Sequence, residues 1–341
     1  MSTIVILTAL ALEQEAIVAE LSHVQIYEHP VTGTPYEFGN FNTDGSLLKI
    51  VVGRTNQTNA NAAIETERII QHFKPSHIFF VGVAGGLKDV KIGDIVIGAD
   101  VFGYERGKES EIFLSRPKFA FSSYDLEMKA VDYSNSDMWR SRALAIVNPL
   151  FQDKIEVFSG TIASGDKVVS STNSNLYKFI KTNISHALAV EMEGLGFLEA
   201  CRHYPSIKSL IIRGISDLVD GKEHADNTGS QQYASKTAAE FLFGYIEYLG
   251  LKPDTNSVSK KNAIFEIITK LYPEGLKDKG LWLRAGGDLS LVQLNTSGKT
   301  QWIEALRLVE NGGGGNIDFD SIIKEMKIDY PKNKSWEFML L

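Results

Sequence analysis

The sequence predicts an α/β protein: a three-layer α/β/α sandwich around a mixed central sheet, followed by a small, mostly α-helical C-terminal domain. Three observations predict it. Short apolar segments rich in β-branched residues recur up to about residue 216, segments of helical period lie between them, and beyond residue 261 only the helical kind continues. Strands buried on both faces read as unbroken apolar runs, and their alternation with amphipathic helices marks a sheet covered on both sides.

The strand segments are IVILTAL (4–10), LLKIVVG (47–53), HIFFVGVAG (77–85), DIVIGADVF (94–102), IEVFSGTIAS (155–164) and SLIIRGIS (209–216). Helical patterns fall at EQEAIVAELS (13–22), NANAAIETERIIQHF (59–73) and ASKTAAEFLFGYIEYL (234–249). Residues 103–140 fit this rhythm poorly. They are rich in aromatics, carry Arg106, Lys108, Arg116 and Lys118, and read as a long excursion over the site or as a solvated surface loop. KPDTNSVSKK (252–261) is polar with Pro and Ser, which suits a linker. It separates a domain over 1–251 from a helical one over 262–341, where NAIFEIITKLY, TQWIEALRLVE and DFDSIIKEMKIDY carry the helical period.

Charge and composition exclude several functions. The net charge of −7 belongs wholly to residues 1–253, because Asp254–Leu341 holds twelve acidic and twelve basic residues. The larger part therefore has no electrostatic footprint for nucleic acid. Cys201 is the only cysteine and the seven histidines are scattered, so neither a disulfide nor a metal site is expected, and no cofactor is implied. MSTIVILTALAL lacks the basic start of a secretion signal and reads as a first buried strand. No apolar run is long enough to span a membrane, and a cytoplasmic location is expected.

Two glycine-rich stretches carry little chemistry. NTSGKTQW (295–302) contains the GKT of a phosphate loop, but Gln293 stands where such a loop needs its first glycine. Gly312–Gly315 reads as a flexible turn between helices. Elsewhere four segments place a carboxylate at a strand end or helix start: ALALEQEA (9–16), SGDKVV (164–169), AVEMEG (189–194) and IRGISDLVDG (212–221). A buried carboxylate is costly unless something pairs with it or uses it, and open α/β sheets bind ligands beyond their strand ends. Taken singly, Asp217 could be a helix N-cap and Glu15 an ordinary first-turn glutamate.

Together with GVAGGL (82–87), these segments resemble the nucleoside phosphorylase/nucleosidase superfamily, closest in motif to methylthioadenosine/S-adenosylhomocysteine nucleosidases, over about residues 3–250. The resemblance implies cleavage of an N-glycosidic bond. It assigns the attacking water to Glu15, the ribose hydroxyls to Glu193 with Met192 packed on the sugar, and protonation of the purine at N7 to Asp217, oriented by Ser216. Glu191 is expected to be a structural partner of a nearby arginine or backbone amide, and Gly85 and Arg213 join the binding set. Leu12, Glu13, Gln14 and Glu15 stand where phosphorylases of the superfamily carry arginine and glycine for phosphate, which favours hydrolysis.

The sequence also departs from that pattern. Val83 replaces a serine, and Lys167, Val168 and Val169 replace the aromatic that stacks on the purine. Lys167, Arg54 and the basic residues of 103–120 would suit a 5′-phosphate chain, although each could equally be a surface ion-pair residue. LWLRAGGDLSLVQL, TQWIEALRLVENGGGG and IIKEMKIDYPKN resemble the effector-associated adaptor domains of bacterial conflict systems, in which a helical module pairs with a like module. Trp282, Trp302 and Tyr330 are expected in its core. The two resemblances imply an antiviral immune effector that strips adenine from ATP or another adenine nucleotide. They also imply an adaptor-domain partner for 262–341 and a homodimer or higher homo-oligomer. A methylthioadenosine/S-adenosylhomocysteine or AMP nucleosidase, a purine nucleoside phosphorylase and a non-catalytic nucleotide sensor remain alternatives.

Overall fold

The computed structural model describes residues 3–43, 46–111, 113–219, 229–251, 257–310, 312–333 and 336. It divides into two compact units, Ser2–Pro253 and Asp254–Leu341.

In the first unit, β1 (Ile4–Thr8), β4 (Ser46–Arg54), β5 (His77–Gly86) and β12 (Lys208–Asp217) run parallel at the centre of one mixed sheet. An antiparallel ribbon, β2 (Ser22–Glu28) and β3 (Pro35–Thr43), extends it beyond β4. On the other side lie β6 (Ile95–Gly103), antiparallel to β12, then β10 (Val157–Ser164) and β11 (Ala189–Glu191). β11 also pairs with the end of β5 through Ala189–Gly86 and Val190–Gly85. That second pairing closes β5, β12, β6, β10 and β11 into a ring and turns β11 across the end of β5.

Successive residues of a strand point to opposite faces, and β5 displays the result. Phe79 meets Tyr245 of α7 (Ser230–Tyr248), while Phe80 meets Phe197 of α6 (Gly194–Cys201). The first face is completed by α1 (Ala11–Val18), α3 (Tyr124–Ser134) and α4 (Asp137–Ile146), whose Ile17, Leu126 and Trp139 share one core with Phe241 and Tyr245. On the other face α2 (Asn59–Phe73) packs on α6, and Gly196 permits it. A Cβ there would lie 1.9 Å from the Asn59 carbonyl oxygen. Leu176, Tyr177 and Ile180 of α5 (Asn175–Asn183) pack in a smaller cluster with Tyr104 and Val219.

The three-layer fold is as expected, but residues 103–140 are more regular than their sequence suggests. After a two-strand ladder of β7 (Gly107–Lys108) and β8 (Leu114–Ser115), β9 (Lys118–Phe121) joins the sheet against β6, and α3 follows. Lys118 pairs with Glu199 of α6. Phe119 and Phe121 stand at strand period, but β9 is too short and interrupted for that period to show in the sequence.

The second unit holds α8 (Ser257–Leu271), α9 (Leu281–Arg284), α10 (Gly298–Glu310) and α11 (Phe319–Asp329). α8 starts inside the stretch expected to be linker, of which 252–256 lie outside the described residues. Trp282 and Trp302 are fully buried, and Trp302 Nε1 donates to the Tyr272 carbonyl at 2.9 Å. Tyr330 packs at the edge of this core, its hydroxyl donating to the Leu271 carbonyl at 2.9 Å. Gly313–Gly315 is not a free turn. Gly287 and Gly315 form a β-bridge, the Asp288 N–H donates to the Gly314 carbonyl at 2.8 Å, and Gly315 has φ of 113°. A Cβ on Gly287 would lie 2.3 Å from Trp282, so glycine is needed where the two loops cross that ring. The GKT of 298–300 opens α10, where a Cβ on Gly298 would meet the Pro273 carbonyl oxygen at 2.1 Å.

No described helix is long and apolar enough to cross a membrane. No group of His, Cys, Asp and Glu among the described residues is arranged to hold a metal ion, and Cys201 is buried and free.

Candidate active site

Because β1, β5 and β12 are parallel, their C-terminal ends share one edge of the sheet, and β11 crosses that edge. A cleft of about 380 Å³ opens there. It brings together Val83 and Gly85 from β5, Glu191, Met192 and Glu193 after β11, Ser216 and Asp217 at the end of β12, and Lys167, Val168 and Val169 from the loop after β10. Glu13 of α1, Gln57 and Gln231 of α7 complete the polar lining.

The two glutamates of EMEG divide their work. Glu191 Oε2 accepts from the backbone N–H of Glu193 at 3.0 Å and of Gly194 at 2.7 Å, and from Arg213 Nη2 at 2.7 Å. It therefore satisfies two amides at the start of α6 and neutralises a buried arginine, combining both structural partners expected of it. Glu193 is freer: Oε1 accepts from the Thr58 N–H at 3.1 Å, and Oε2 lies 3.9 Å from Arg213 Nη2. Burial, and then the adjoining Glu191 charge, push the Glu193 carboxyl up to about 7, against Arg213 and the Thr58 N–H.

Arg213 is the hub. It is wholly buried, sits over Phe80 with its guanidinium carbon 4.4 Å from the ring centre, and balances Glu13, Glu191 and Glu193. Its Nη1 has no hydrogen-bond partner. Gly82 lets this nitrogen approach Glu13 across β5: a Cβ there would lie 2.8 Å from Nη1 and 2.4 Å from Glu13 Oε1.

Glu13 reaches back over the start of its helix. Oε2 accepts from the N–H groups of Ala9 and Leu10, and Oε1 from that of Val83, each at 2.8 Å. Burial pushes its carboxyl above the usual range, against the pull of Arg213 and those three amides. Asp217 is 2% exposed. Its Oδ1 accepts from the Val219 N–H at 3.0 Å, and its Oδ2 lies 3.0 Å from Ser216 Oγ, which is itself 3.4 Å from the Ala84 carbonyl. A hydroxyl has one proton to give, so Ser216 can serve only one of these two acceptors at a time.

Three expected residues lie elsewhere. Glu15 is exposed and, with Arg54, lines a separate cavity of about 460 Å³ bounded by Gln14, Glu37 and Asn56. Two residues along a helix is a rotation of about 200°, so Glu13 and Glu15 cannot face the same cleft. Of the two, Glu13 lines the cleft, and a sequence signal for its placement existed: a glutamate at the third helical position reaches back to the helix start. Arg213 is in place but behind the cleft wall, where it holds carboxylates rather than lining the space. Gly82 and Gln57 were also missed. Gly82 sits within the GVAGG run but matters through two side chains distant in sequence.

Lys167 is the one cation lining the cleft among the described residues, and it pairs with Glu105 at 3.0 Å while its side chain is 72% exposed.

Comparison with known proteins agrees with this architecture. The chain is similar to a 5′-methylthioadenosine/S-adenosylhomocysteine nucleosidase of Desulfotalea psychrophila, 28% identical over 241 residues, spanning 67% of this chain and 87% of that one. It is similar also to the ATP nucleosidase Cap17 of Escherichia coli, 29% identical over 216 residues, but only 59% of this chain and 42% of that protein are covered. Among solved structures, a 5′-methylthioadenosine/S-adenosylhomocysteine nucleosidase from Neisseria meningitidis shares the fold with a TM-score of 0.58 at 22% identity, over 72% of this chain and 99% of that one. Futalosine hydrolase of Helicobacter pylori does so with a TM-score of 0.57 at 23% identity, over 72% and 97%. The family description "Phosphorylase superfamily" matches residues 3–247, and the chain belongs to that superfamily.

Proposed function

We propose that the cleft hydrolyses the N-glycosidic bond of an adenine nucleotide, ATP first among them, giving adenine and ribose 5′-triphosphate. The observation that carries the reading is the convergence of Glu13, Glu193 and Asp217, from three distant segments, on one cleft. Cleavage of the C1′–N9 bond runs through a ribosyl cation-like transition state. Asp217 gives its proton to N7 so that the purine leaves neutral, Glu193 holds the ribose hydroxyls as positive charge grows on the sugar, and Glu13 steers water to C1′. A positioned acid or base of this kind contributes about 10²–10⁴-fold. A protonated Asp217 could donate to Ser216 Oγ, which would then donate to the Ala84 carbonyl, so the neighbours that orient the acid accept its proton-bearing form.

The acidic lining disfavours inorganic phosphate as the nucleophile and so supports water. The choice of ATP rests on the similarity to Cap17 and on Val83, Lys167, Val168 and Val169 at positions where the resembled nucleosidases carry a serine and an aromatic. A second reading, methylthioadenosine or S-adenosylhomocysteine as substrate, is favoured by one observation: Lys167 is already engaged by Glu105. In either reading the enzyme acts as a homo-oligomer; in the ATP reading it is an immune effector whose helical 262–341 domain serves as an adaptor toward a like module.

The test is a panel of ATP, AMP, methylthioadenosine and S-adenosylhomocysteine, with free adenine quantified by chromatography and phosphate omitted or added. Turnover of ATP above the thioether nucleosides, independent of phosphate, is expected. No adenine from ATP, even with the protein clustered through its C-terminal unit, overturns the ATP reading. Base release that requires phosphate overturns hydrolysis.

A further inference from the structure

Positive φ is rare outside glycine, and residue type decides what it means. Among the described residues, His23, Asn56, Lys74, Asp89 and Lys279 adopt it without a branched Cβ. Thr58, at 92°, and Val219, at 71°, are the two β-branched residues that do, and for such side chains this backbone is a true outlier. Neither lines the cleft, but each holds a carboxylate that does, and both do the same thing. The Thr58 N–H donates to Glu193 Oε1 at 3.1 Å, and the Val219 N–H donates to Asp217 Oδ1 at 3.0 Å.

We propose that Thr58 and Val219 are positioning residues: each uses a strained backbone, anchored by its side chain, to pin one oxygen of a working carboxylate. The inference rests on the reading that Glu193 holds the sugar and Asp217 protonates the base. If these turns needed only their shape, glycine would supply it without steric cost. Glycine, however, leaves a peptide free to swing its N–H. Val219 is wholly buried in the cluster with Phe102, Tyr104 and Val190, which holds its backbone in place. Thr58 is tied by its own hydroxyl to the start of α2, where Oγ1 accepts from the Asn61 N–H at 3.5 Å. A branched Cβ also restricts its own rotamers. The strain is the cost of that fixation, and it falls on the two carboxylates whose orientation the reaction would need.

Four variants of the full chain test this: Thr58→Gly, Thr58→Val, Val219→Gly and Val219→Ala, each measured for Tm, kcat, KM and the pH dependence of kcat, with adenine release as the assay. Thr58→Gly relieves strain and frees the N–H. It should melt at or above the wild-type temperature while kcat falls about tenfold or more and KM stays within about threefold. With its N–H donor loosened, Glu193 ionises less readily, so the acid limb of kcat should move up by about half a pH unit or more. Thr58→Val keeps the branched Cβ but loses the hydroxyl tie to the Asn61 N–H, so its kcat should fall between those of Thr58→Gly and wild type. Val219→Gly should melt above Val219→Ala, because alanine retains the steric penalty, yet turn over more slowly. Activity and stability thus move in opposite directions. The proposal is overturned if the glycine variants are as fast as their Val and Ala counterparts, or if kcat falls only in step with Tm. Asp217→Asn separates this from the underlying reading. If it leaves turnover intact, the assignment of the site fails; if it abolishes turnover while the glycine variants match wild type, only the strain inference does.

Discussion

The cleft of the first unit and the core of the second bury large side chains on opposite terms. The cleft sets Arg213, fully buried, against Glu13, Glu191 and Glu193. In the second unit the buried centre is Trp282, Trp302 and Tyr272, while its ion pairs, Arg284 with Glu325 and Asp329, lie at the rim. A buried ion pair seldom stabilises a fold more than apolar residues of the same volume would, because dehydrating the charges offsets their attraction. Stability alone therefore gives no reason to keep one arginine among three buried carboxylates. The contrast separates a unit that retains charge for chemistry from one that is held by shape.

The harshest way to break this contrast is Arg213→Met. Three buried carboxylates would lose their shared cation, and the expected loss is about 3–5 kcal/mol in chemical denaturation, with activity abolished. A loss below about 1 kcal/mol would mean that water already screens the cluster, and the buried-charge description would not stand. Next in size is a paired test on α1. Glu13→Gln should lower adenine release by about 10²-fold or more, whereas Glu15→Gln should stay within about twofold of wild type. The reverse ranking would move the water-activating acid to the outer cavity with Arg54.

That pair also marks where the sequence could be read and where it could not. Six strands of the sheet (β1, β4, β5, β6, β10 and β12), α2 and the helical C-terminal unit follow from periodicity, whereas the β2–β3 ribbon and β9 do not. Glu191, Glu193 and Asp217 follow from their position at strand ends. The order of acidic residues in ALALEQEA does not tell which helical face each one occupies, and the structure sets Glu13 on the cleft and Glu15 on the separate cavity. SLIIRGIS does not by itself tell which face of the sheet Arg213 takes; alternate positions face opposite sides, and Arg213 lies on Phe80, on the α6 side. The crossing of Gly287 and Gly315 over Trp282 depends on a bridge between loops 28 residues apart, which no local pattern encodes. The closing of the sheet by β11 on β5 is of the same kind, resting on three residues too short to signal a strand.

A milder probe uses pH. The Glu193 carboxyl is raised from 4.5 to about 7, so the folded state binds a proton there more tightly than the unfolded chain. Its contribution to stability is present in full below about pH 4.5 and is lost as pH rises through about 7. Glu193→Gln never ionises. Relative to wild type it should gain stability between about pH 5 and pH 8, by roughly 2 kcal/mol, measured as the difference between denaturation midpoints at the two ends. Turnover should move the other way: wild-type kcat rises through that window as the carboxylate forms, and the variant stays low throughout. A flat stability difference would show that Glu193 is ionised at all pH values tested, and its burial beside Glu191 would then carry no energetic weight.

The smallest expected effect is in the second unit, and it sharpens the contrast from the other side. Arg284 Nε lies 2.9 Å from Glu325 and Nη2 lies 2.6 Å from Asp329, with the arginine side chain 37% exposed. An exposed pair gains little Coulomb energy in water and loses side-chain freedom. Asp329 would not be stranded by the loss of Arg284, because it also accepts from the Tyr272 hydroxyl at 2.7 Å. Arg284→Ala should therefore cost less than about 1 kcal/mol, and the difference should shrink further in high salt, where exposed charges are screened. A salt-insensitive loss as large as that expected for Arg213→Met would mean that the rim of the helical unit is as dependent on charge as the cleft, and the division between a chemical unit and a shape-held unit would dissolve.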